Sequence, residues 1–187
     1  MDKNWLKKYF DRYRNPLFSD DYHTKLLELK NDLERVNNQN KGKSIILGNG
    51  GSAAIASHVS VDFSKNAKIR MINFNESDLI TCLANDYGYE NWMAKALEIY
   101  SDPKDIIILI SSSGKSKNVL NAAEFSKSIG QKVVTFTGFD NDNPLKTTGD
   151  LNFWVDSYAY NIIEMMHQIW LLAVCDAVIG NAEYPAS

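Results

Sequence analysis

The sequence predicts an α/β fold: a doubly wound three-layer α/β/α sandwich with a five-stranded parallel sheet, preceded by N-terminal helices. From residue 44 onward, short apolar runs alternate with segments of helical periodicity. Each run is continuously apolar, which is typical of parallel strands that are covered on both faces. Regular alternation of strands and helices favours right-handed crossovers within one sheet.

The N-terminal part, residues 1–40, is predicted to form a helical hairpin. Trp5, Tyr9 and Tyr13 recur at helical spacing, and residues 19–37 place leucines on one broad apolar face. Such helices need a partner surface. That surface is either another subunit, so that the hairpin serves oligomerisation, or the sheet of the same chain.

The remaining α/β core, residues 44–180, is predicted to hold five strands and four helices. The strands are expected at residues 44–47, 69–74, 105–110, 132–136 and 151–155, and the helices at 53–64, 89–100, 116–128 and 160–179. No repeat or Pro/Gly linker divides the chain, so residues 1–187 are expected to form a single domain. In such a sheet, ligands bind beyond the carboxyl ends of the strands.

Composition excludes several classes of partner. The net charge of −3 and the lack of a long Lys/Arg run give no reason to expect nucleic-acid binding. No run approaches the roughly 20 apolar residues that span a bilayer, so no membrane association is expected. The two cysteines, Cys82 and Cys175, stand in apolar contexts and are expected to be free and buried. A cytoplasmic protein is predicted.

A glycine-rich loop follows the first predicted strand. Its residues, Gly48-Asn49-Gly50-Gly51-Ser52, lead directly into a helix. The glycines let a ligand approach the backbone closely, and the N–H groups that open the helix favour an anion. The spacing matches neither the Walker A loop nor the dinucleotide motif, so no nucleotide cofactor is expected. Taken alone, the loop is equally well explained as a tight strand-to-helix connection.

A serine-rich loop follows the third predicted strand and again opens a helix. A capping loop needs one hydroxyl, whereas this loop carries four, from Ser111, Ser112, Ser113 and Ser116. Hydroxyls beside the free N–H groups of a helix start form a cradle of neutral donors. Two such loops at the carboxyl edge of one sheet can converge on one ligand, which predicts phosphate binding.

Together these loops resemble the sugar isomerase (SIS) domain and, more narrowly, the phosphoheptose isomerases, which convert sedoheptulose 7-phosphate to a manno-heptose 7-phosphate. The likeness covers nearly the whole chain, including residues 85–89 and 135–138. It implies a phosphorylated sugar as ligand and a homotetramer (or homodimer) with sites completed by neighbouring subunits. The residues implied for the phosphate are Ser52, Ser111, Ser113 and Ser116, and those implied for the sugar are Asn49 and Asp86.

Two pairs of polar residues are candidates for proton transfer. His58 and Asp62 stand four residues apart on the first core helix, and Glu164 and His167 stand three apart on the last, so each pair shares a face. A carboxylate and an imidazole can supply the base and acid that an aldose–ketose isomerisation needs. The same pairs are also explained as hydrogen-bonded core pairs or as a polar stripe that faces solvent.

The resemblance also raises zinc as a cofactor, because several family members bind it through a His, a Glu, a Gln and a late His. Here the candidate ligands, chosen because they form the two same-face pairs, are His58, Asp62, Glu164 and His167. The sequence departs from the family in three places. Asp62 is one methylene shorter than the family's Glu, Glu164 stands at the ligand Gln, and Leu172 (or Leu171, with the register shifted by one) stands at the late catalytic His.

The leading hypothesis is therefore a phosphosugar isomerase for nucleotide-heptose, lipopolysaccharide or capsule synthesis. Two alternatives remain. One is a non-catalytic phosphosugar-binding or protein-interaction protein of the same fold, which the missing late His favours. The other is an isomerase of a different sugar phosphate.

Overall fold

A parallel five-stranded sheet of order β2-β1-β3-β4-β5 lies at the centre of the structure, a computed structural model that describes residues 2–39 and 41–184. Every neighbouring pair is parallel. The strands are β1 Ser44–Gly48, β2 Met71–Ile72, β3 Ile106–Ser111, β4 Lys132–Thr137 and β5 Leu151–Trp154. The predicted fold class is confirmed.

Helices cover both faces of the sheet. Their bounds are α1 Lys3–Asp11, α2 Arg14–Leu17, α3 Asp20–Asn38, α4 Gly51–Lys65, α5 Ser77–Tyr87, α6 Trp92–Tyr100, α7 Lys117–Ser128, α8 Pro144–Thr148 and α9 Tyr160–Ile179. In β3, Ile106 and Ile108 face the core beneath α3, α4 and α9, whereas Ile107 faces the core beneath α5, α6 and α7. Because successive strand side chains point to opposite faces, a strand buried on both sides must be apolar throughout.

The N-terminal helices differ in how far they are buried in the core. Leu29, Leu33 and Val36 of α3 are buried in the core of the same chain, whereas α1 buries none of its residues. The prediction for residues 1–40 begins and ends on Met1 and Asn40, which lie outside the described residues. The single-domain prediction likewise extends over 185–187 and stays a prediction.

Several predicted elements have different bounds. The second strand spans only Met71–Ile72 rather than 69–74, and a helix at Ser77–Tyr87 precedes the predicted helix at 89–100. The two helices are separated at Gly88, whose φ of 85° lies in the left-handed region. Cys82 is exposed, which contradicts the prediction that it is buried, whereas Cys175 is buried; both are free.

Helix α9 is long and apolar enough, by length and composition, to cross a membrane. It nevertheless buries Ile163, Trp170 and Val174 in the core beneath the sheet. It is therefore a core helix of the α/β domain.

Candidate active site

The two predicted loops meet at the carboxyl edge of the sheet, because β1 and β3 are neighbours. They enclose a cavity of about 280 Å³. Its lining residues come from the first loop, from the second loop and from α9: Asn49, Gly50, Gly51, Ser52, Ile110, Ser111, Ser112, Ser113, Ser116, Tyr160 and Glu164. The structure thus brings all the predicted loop residues to one place.

The glycine-rich loop has a backbone that few other residues could adopt. Gly50 has φ 54° and ψ −120° and caps α4, although a Cβ there would meet no atom. Conformation, not space, therefore requires glycine at this position. At Gly51 an added Cβ would stand 2.4 Å from Glu164 Oε2, the end of a flexible side chain that could turn aside, so space alone does not require glycine there. The Glu164 carboxylate thus lies against the start of α4.

The serine-rich loop is a tight turn in which Gly114 N donates to Ser111 O at 3.0 Å. Gly114 has φ 63°, and a Cβ there would collide with Asn143 Oδ1. The hydroxyl of Ser112 is buried and has no hydrogen-bond partner. An unpaired buried hydroxyl costs about 1–3 kcal/mol. Because this oxygen is closed off from the cavity, a ligand there would meet the more exposed hydroxyls of Ser113 and Ser116 rather than that of Ser112.

Neutral donors dominate the cavity. No lysine or arginine is among the described residues that line it. Lys115, within the serine-rich loop, instead pairs with Asp140 at 2.7 Å, and this hydrogen-bonded ion pair raises the pKa of Lys115. An anion here would be held by hydroxyls and by the N-termini of α4 and α7. The negative charge of the Glu164 carboxylate would repel that anion.

The two residues that the resemblance implies for the sugar lie apart. Asn49 lines the cavity, but its amide exchanges two hydrogen bonds with Asn118 and accepts a third from Tyr89 Oη. Asp86 is exposed near the end of α5, where it accepts from Asn85 Nδ2 at 2.9 Å. Asp86 is not among the described residues that line the cavity.

His58 and Asp62 form a close pair on α4, with 3.1 Å between Nε2 and Oδ2. The His58 side chain is 50% exposed and that of Asp62 is 25% exposed, so a ligand can reach both. Neither lines the cavity. Gln168 on α9, which the sequence analysis missed, contacts His58 with 2.9 Å between Nε2 and Nδ1. The sequence could have indicated Gln168 through its spacing of four residues from Glu164, which places both side chains on one face of α9.

The prediction that His167 takes part in the site is wrong. Its side chain is fully buried, packs edge-on against Phe136, and bonds through Nε2 to Thr137 O at 3.0 Å. Burial lowers its pKa to about 4, so the imidazole is neutral in the core. His167 therefore cannot reach the sugar or join the other candidates.

The four predicted zinc ligands do not fit a zinc site. His58 and Asp62 lie together, but Glu164 lies over Gly51 and His167 points into the core. Zinc in proteins is held by about four ligands. Among residues 2–39 and 41–184, no group of three or more His, Cys, Asp or Glu side chains could hold a metal ion.

Comparison with known proteins defines the class. A family model described as a SIS domain matches residues 33–138. The phosphoheptose isomerase of Helicobacter pylori (strain P12) is 34% identical over 146 residues, which cover 75% of this chain and 76% of the relative. The chain belongs to the phosphoheptose isomerase family of SIS domain proteins.

Solved structures show the same fold. A phosphoheptose isomerase from Francisella tularensis superposes with a TM-score of 0.86 at 23% identity, over 97% of this chain and all of that one. The phosphoheptose isomerase from Neisseria gonorrhoeae gives a TM-score of 0.84 at 22% identity, over 94% of this chain and 98% of that one.

Proposed function

We propose that this protein is an aldose–ketose isomerase that interconverts sedoheptulose 7-phosphate and D-glycero-D-manno-heptose 7-phosphate through an enediol. The observation that carries the proposal is the convergence of both loops, which follow the neighbouring strands β1 and β3, on one cavity. The names of the relatives support a phosphorylated heptose as the ligand that fills it. The phosphate accepts hydrogen bonds from the serine hydroxyls and from the N–H groups that open α4.

The length of the substrate supports His58 and Asp62 as the proton-transfer pair. The reaction takes place at C1 and C2, opposite the phosphate on C7. Seven bonds separate phosphorus from C2, roughly 8 Å in an extended chain at the bond spacing of extended backbone. His58 stands six residues beyond Ser52 on α4, about 9 Å along the helix axis. Glu164, inside the cavity, lies nearer the phosphate end.

Helix α9 supplies the surface between these two ends. Glu164 and Gln168 are one turn apart on one face, and Gln168 contacts His58. In our proposal the sugar chain runs along this face, and the two polar side chains bind its hydroxyls. Gln168 also orients the imidazole.

In the proposed reaction, the Gln168 amide is turned so that its oxygen accepts from Nδ1 of protonated His58. Asp62 takes the proton from C1 of the ketose while His58 donates its other proton to the carbonyl oxygen on C2. The electron pair of the broken C1–H bond forms the C1–C2 double bond of the enediol. Asp62 then returns its proton to C2, and the proton of the C1 hydroxyl passes back to His58. Both side chains are restored, and C1 becomes an aldehyde.

We further propose that the protein is a cytoplasmic homotetramer, or a homodimer, that serves heptose metabolism. Apolar surface supports assembly: Trp5, Leu6 and Phe10 of α1 are 45%, 49% and 62% exposed, and Met165 and Ile169 of α9 are also exposed. Contiguous exposed apolar surface of this kind marks interaction sites. The free cysteines are compatible with a reducing compartment.

The test is turnover of sedoheptulose 7-phosphate by the purified chain, with the aldose product followed by NMR. We expect product from the wild type and a fall in kcat of about 10²-fold or more in Asp62→Asn, since the base is lost. Ser113→Ala serves as the matched variant at the other end of the substrate. It should raise KM more than it lowers kcat.

Three outcomes would contradict this proposal. Normal turnover by Asp62→Asn would remove Asp62 from the mechanism. A ligand-induced rise in melting temperature without any product would indicate the non-catalytic binding protein. Conversion of another ketose phosphate, with none of the heptose, would replace the substrate.

A further inference from the structure

The two loops of the cavity are joined by a pair of asparagine side chains. Asn49 Nδ2 donates to Asn118 Oδ1 at 3.0 Å, and Asn118 Nδ2 donates to Asn49 Oδ1 at 2.9 Å. Asn49 belongs to the glycine-rich loop after β1, and Asn118 to the first turn of α7, directly after the serine-rich loop. Asn118 is only 3% exposed.

We propose that Asn118 is a positioning residue that holds the two halves of the phosphate cradle in one geometry. This inference rests on the proposed function, because it assumes that the cradle binds phosphate. Asn118 is not among the described residues that line the cavity. It therefore acts through Asn49, which does line it.

Of the two loops, the glycine-rich loop is the one whose backbone conformation needs to be fixed. Glycines at positions 48, 50 and 51 leave its backbone little intrinsic preference for one conformation. The paired amides fix Asn49, and Tyr89 Oη adds a hydrogen bond to Asn49 Oδ1 at 3.1 Å. Fixing the N–H groups before the ligand arrives lowers the entropy cost of binding.

Burial makes the loss of the hydrogen bonds between Asn49 and Asn118 costly. Both hydrogen-bonding groups of the Asn118 amide are directed at Asn49, and a buried amide that loses its partner is costly. Asn118→Ala removes both hydrogen bonds. Asn118→Asp keeps the shape and still accepts from Asn49 Nδ2, but it sets a carboxylate oxygen against Asn49 Oδ1.

The experiment measures inorganic-phosphate affinity by calorimetry, and KM and kcat for sedoheptulose 7-phosphate, in the full-length chain. We expect Asn118→Ala to weaken phosphate binding and raise KM by about tenfold, with kcat changed far less. In an Asn49→Ala background the same substitution should have little further effect, because the two residues act as one unit. Amide hydrogen exchange of residues 49–52 should accelerate in Asn118→Ala.

A matched control is Asn37→Asp. Asn37 also joins two segments, through Lys68 O and Arg70 N, but it lies at the end of α3, before β1 begins, rather than in a loop of the cavity. Asn37→Asp should lower the stability of the protein without changing its affinity for phosphate. Asn118→Asp replaces Asn118→Ala as the test variant if the latter does not fold.

Two results would overturn the inference. Folded Asn118 variants that bind phosphate as the wild type does, with unchanged loop exchange, would refute the positioning role while leaving the cradle intact. A wild-type protein that binds no phosphate would refute the cradle itself, and the positioning role with it. Full additivity of Asn118→Ala and Asn49→Ala would also count against the role.

Discussion

The carboxylate of Glu164 on α9 lies so close to Gly51 at the start of α4 that an added methyl group would stand 2.4 Å from its Oε2. A negative group thus occupies part of a cavity otherwise built from neutral donors. Phosphate must bind against this charge. The arrangement separates the two ends of the site, with the anion opposed by Glu164 and the reacting carbons near His58.

Glu164→Gln should therefore tighten the binding of inorganic phosphate. Two unit charges about 4 Å apart repel by about 1 kcal/mol in water, and by more in a partly enclosed cavity, so about fivefold or more is expected. Calorimetric titration measures it. Glu76→Gln, an exposed acid outside the cavity, controls for net charge. Weaker binding by Glu164→Gln would mean that this side chain assists the phosphate.

Ser112→Ala should separate stability from binding. The hydroxyl is buried and unpaired in the ligand-free protein, so its removal should leave the melting temperature unchanged or raise it. Phosphate affinity should stay within about twofold of the wild type, because the buried Oγ is closed off from the cavity. Ser113→Ala, at a partly exposed hydroxyl that lines the cavity, should instead weaken phosphate binding about tenfold. Thermal denaturation with and without phosphate measures both effects. Much weaker phosphate binding by Ser112→Ala would show that its hydroxyl turns toward the ligand.

The buried His167 should make the folded protein less stable as the pH is lowered. Its pKa is about 4 in the folded protein against 6.5 for an ordinary histidine, because burial disfavours the charged form. The unfolded chain therefore binds more protons between these values, and the free energy of unfolding decreases as pH falls below 6.5. At pH 5 the loss from this residue is about 2 kcal/mol.

Denaturant unfolding at pH 7 and pH 5 tests this prediction against His167→Gln, which can still donate to Thr137 O. The variant should lose about 2 kcal/mol less between the two pH values than the wild type. Parallel losses in both proteins would show that other groups cause the pH dependence.

Removal of metal should leave turnover intact, because the four predicted zinc ligands do not converge. After dialysis against a chelator, kcat/KM for the heptose phosphate should stay within about twofold of the untreated protein. Elemental analysis before and after dialysis provides the control. Loss of activity that added zinc restores would mean that a metal is held by some other arrangement, such as one shared between subunits.

The sheet and both loops could be predicted because their signals are local. A strand such as β3, buried on both faces, must be apolar along its length, and the loop residues follow directly in sequence. Helix α5 was missed although Leu79, Ile80 and Leu83 recur at helical spacing and pack against the core beneath α6 and α7.

The arrangement of side chains on α9 could not be predicted from spacing alone. At about 100° per residue, His167 is turned about 60° from Glu164 in one direction and Gln168 about 40° in the other. That difference sends His167 into the core and Gln168 toward His58. Which direction faces the core depends on how α9 packs against α4 and the sheet, and the sequence does not state this packing.

A crystal structure with bound sedoheptulose 7-phosphate tests the central claim most directly, through two distances. We expect a phosphate oxygen at about 2.7 Å from Ser113 Oγ, and C1 or C2 at about 3–3.5 Å from a carboxylate oxygen of Asp62. A phosphate bound away from the two loops, or a sugar whose C1 and C2 lie beyond the reach of Asp62 and His58, would contradict it.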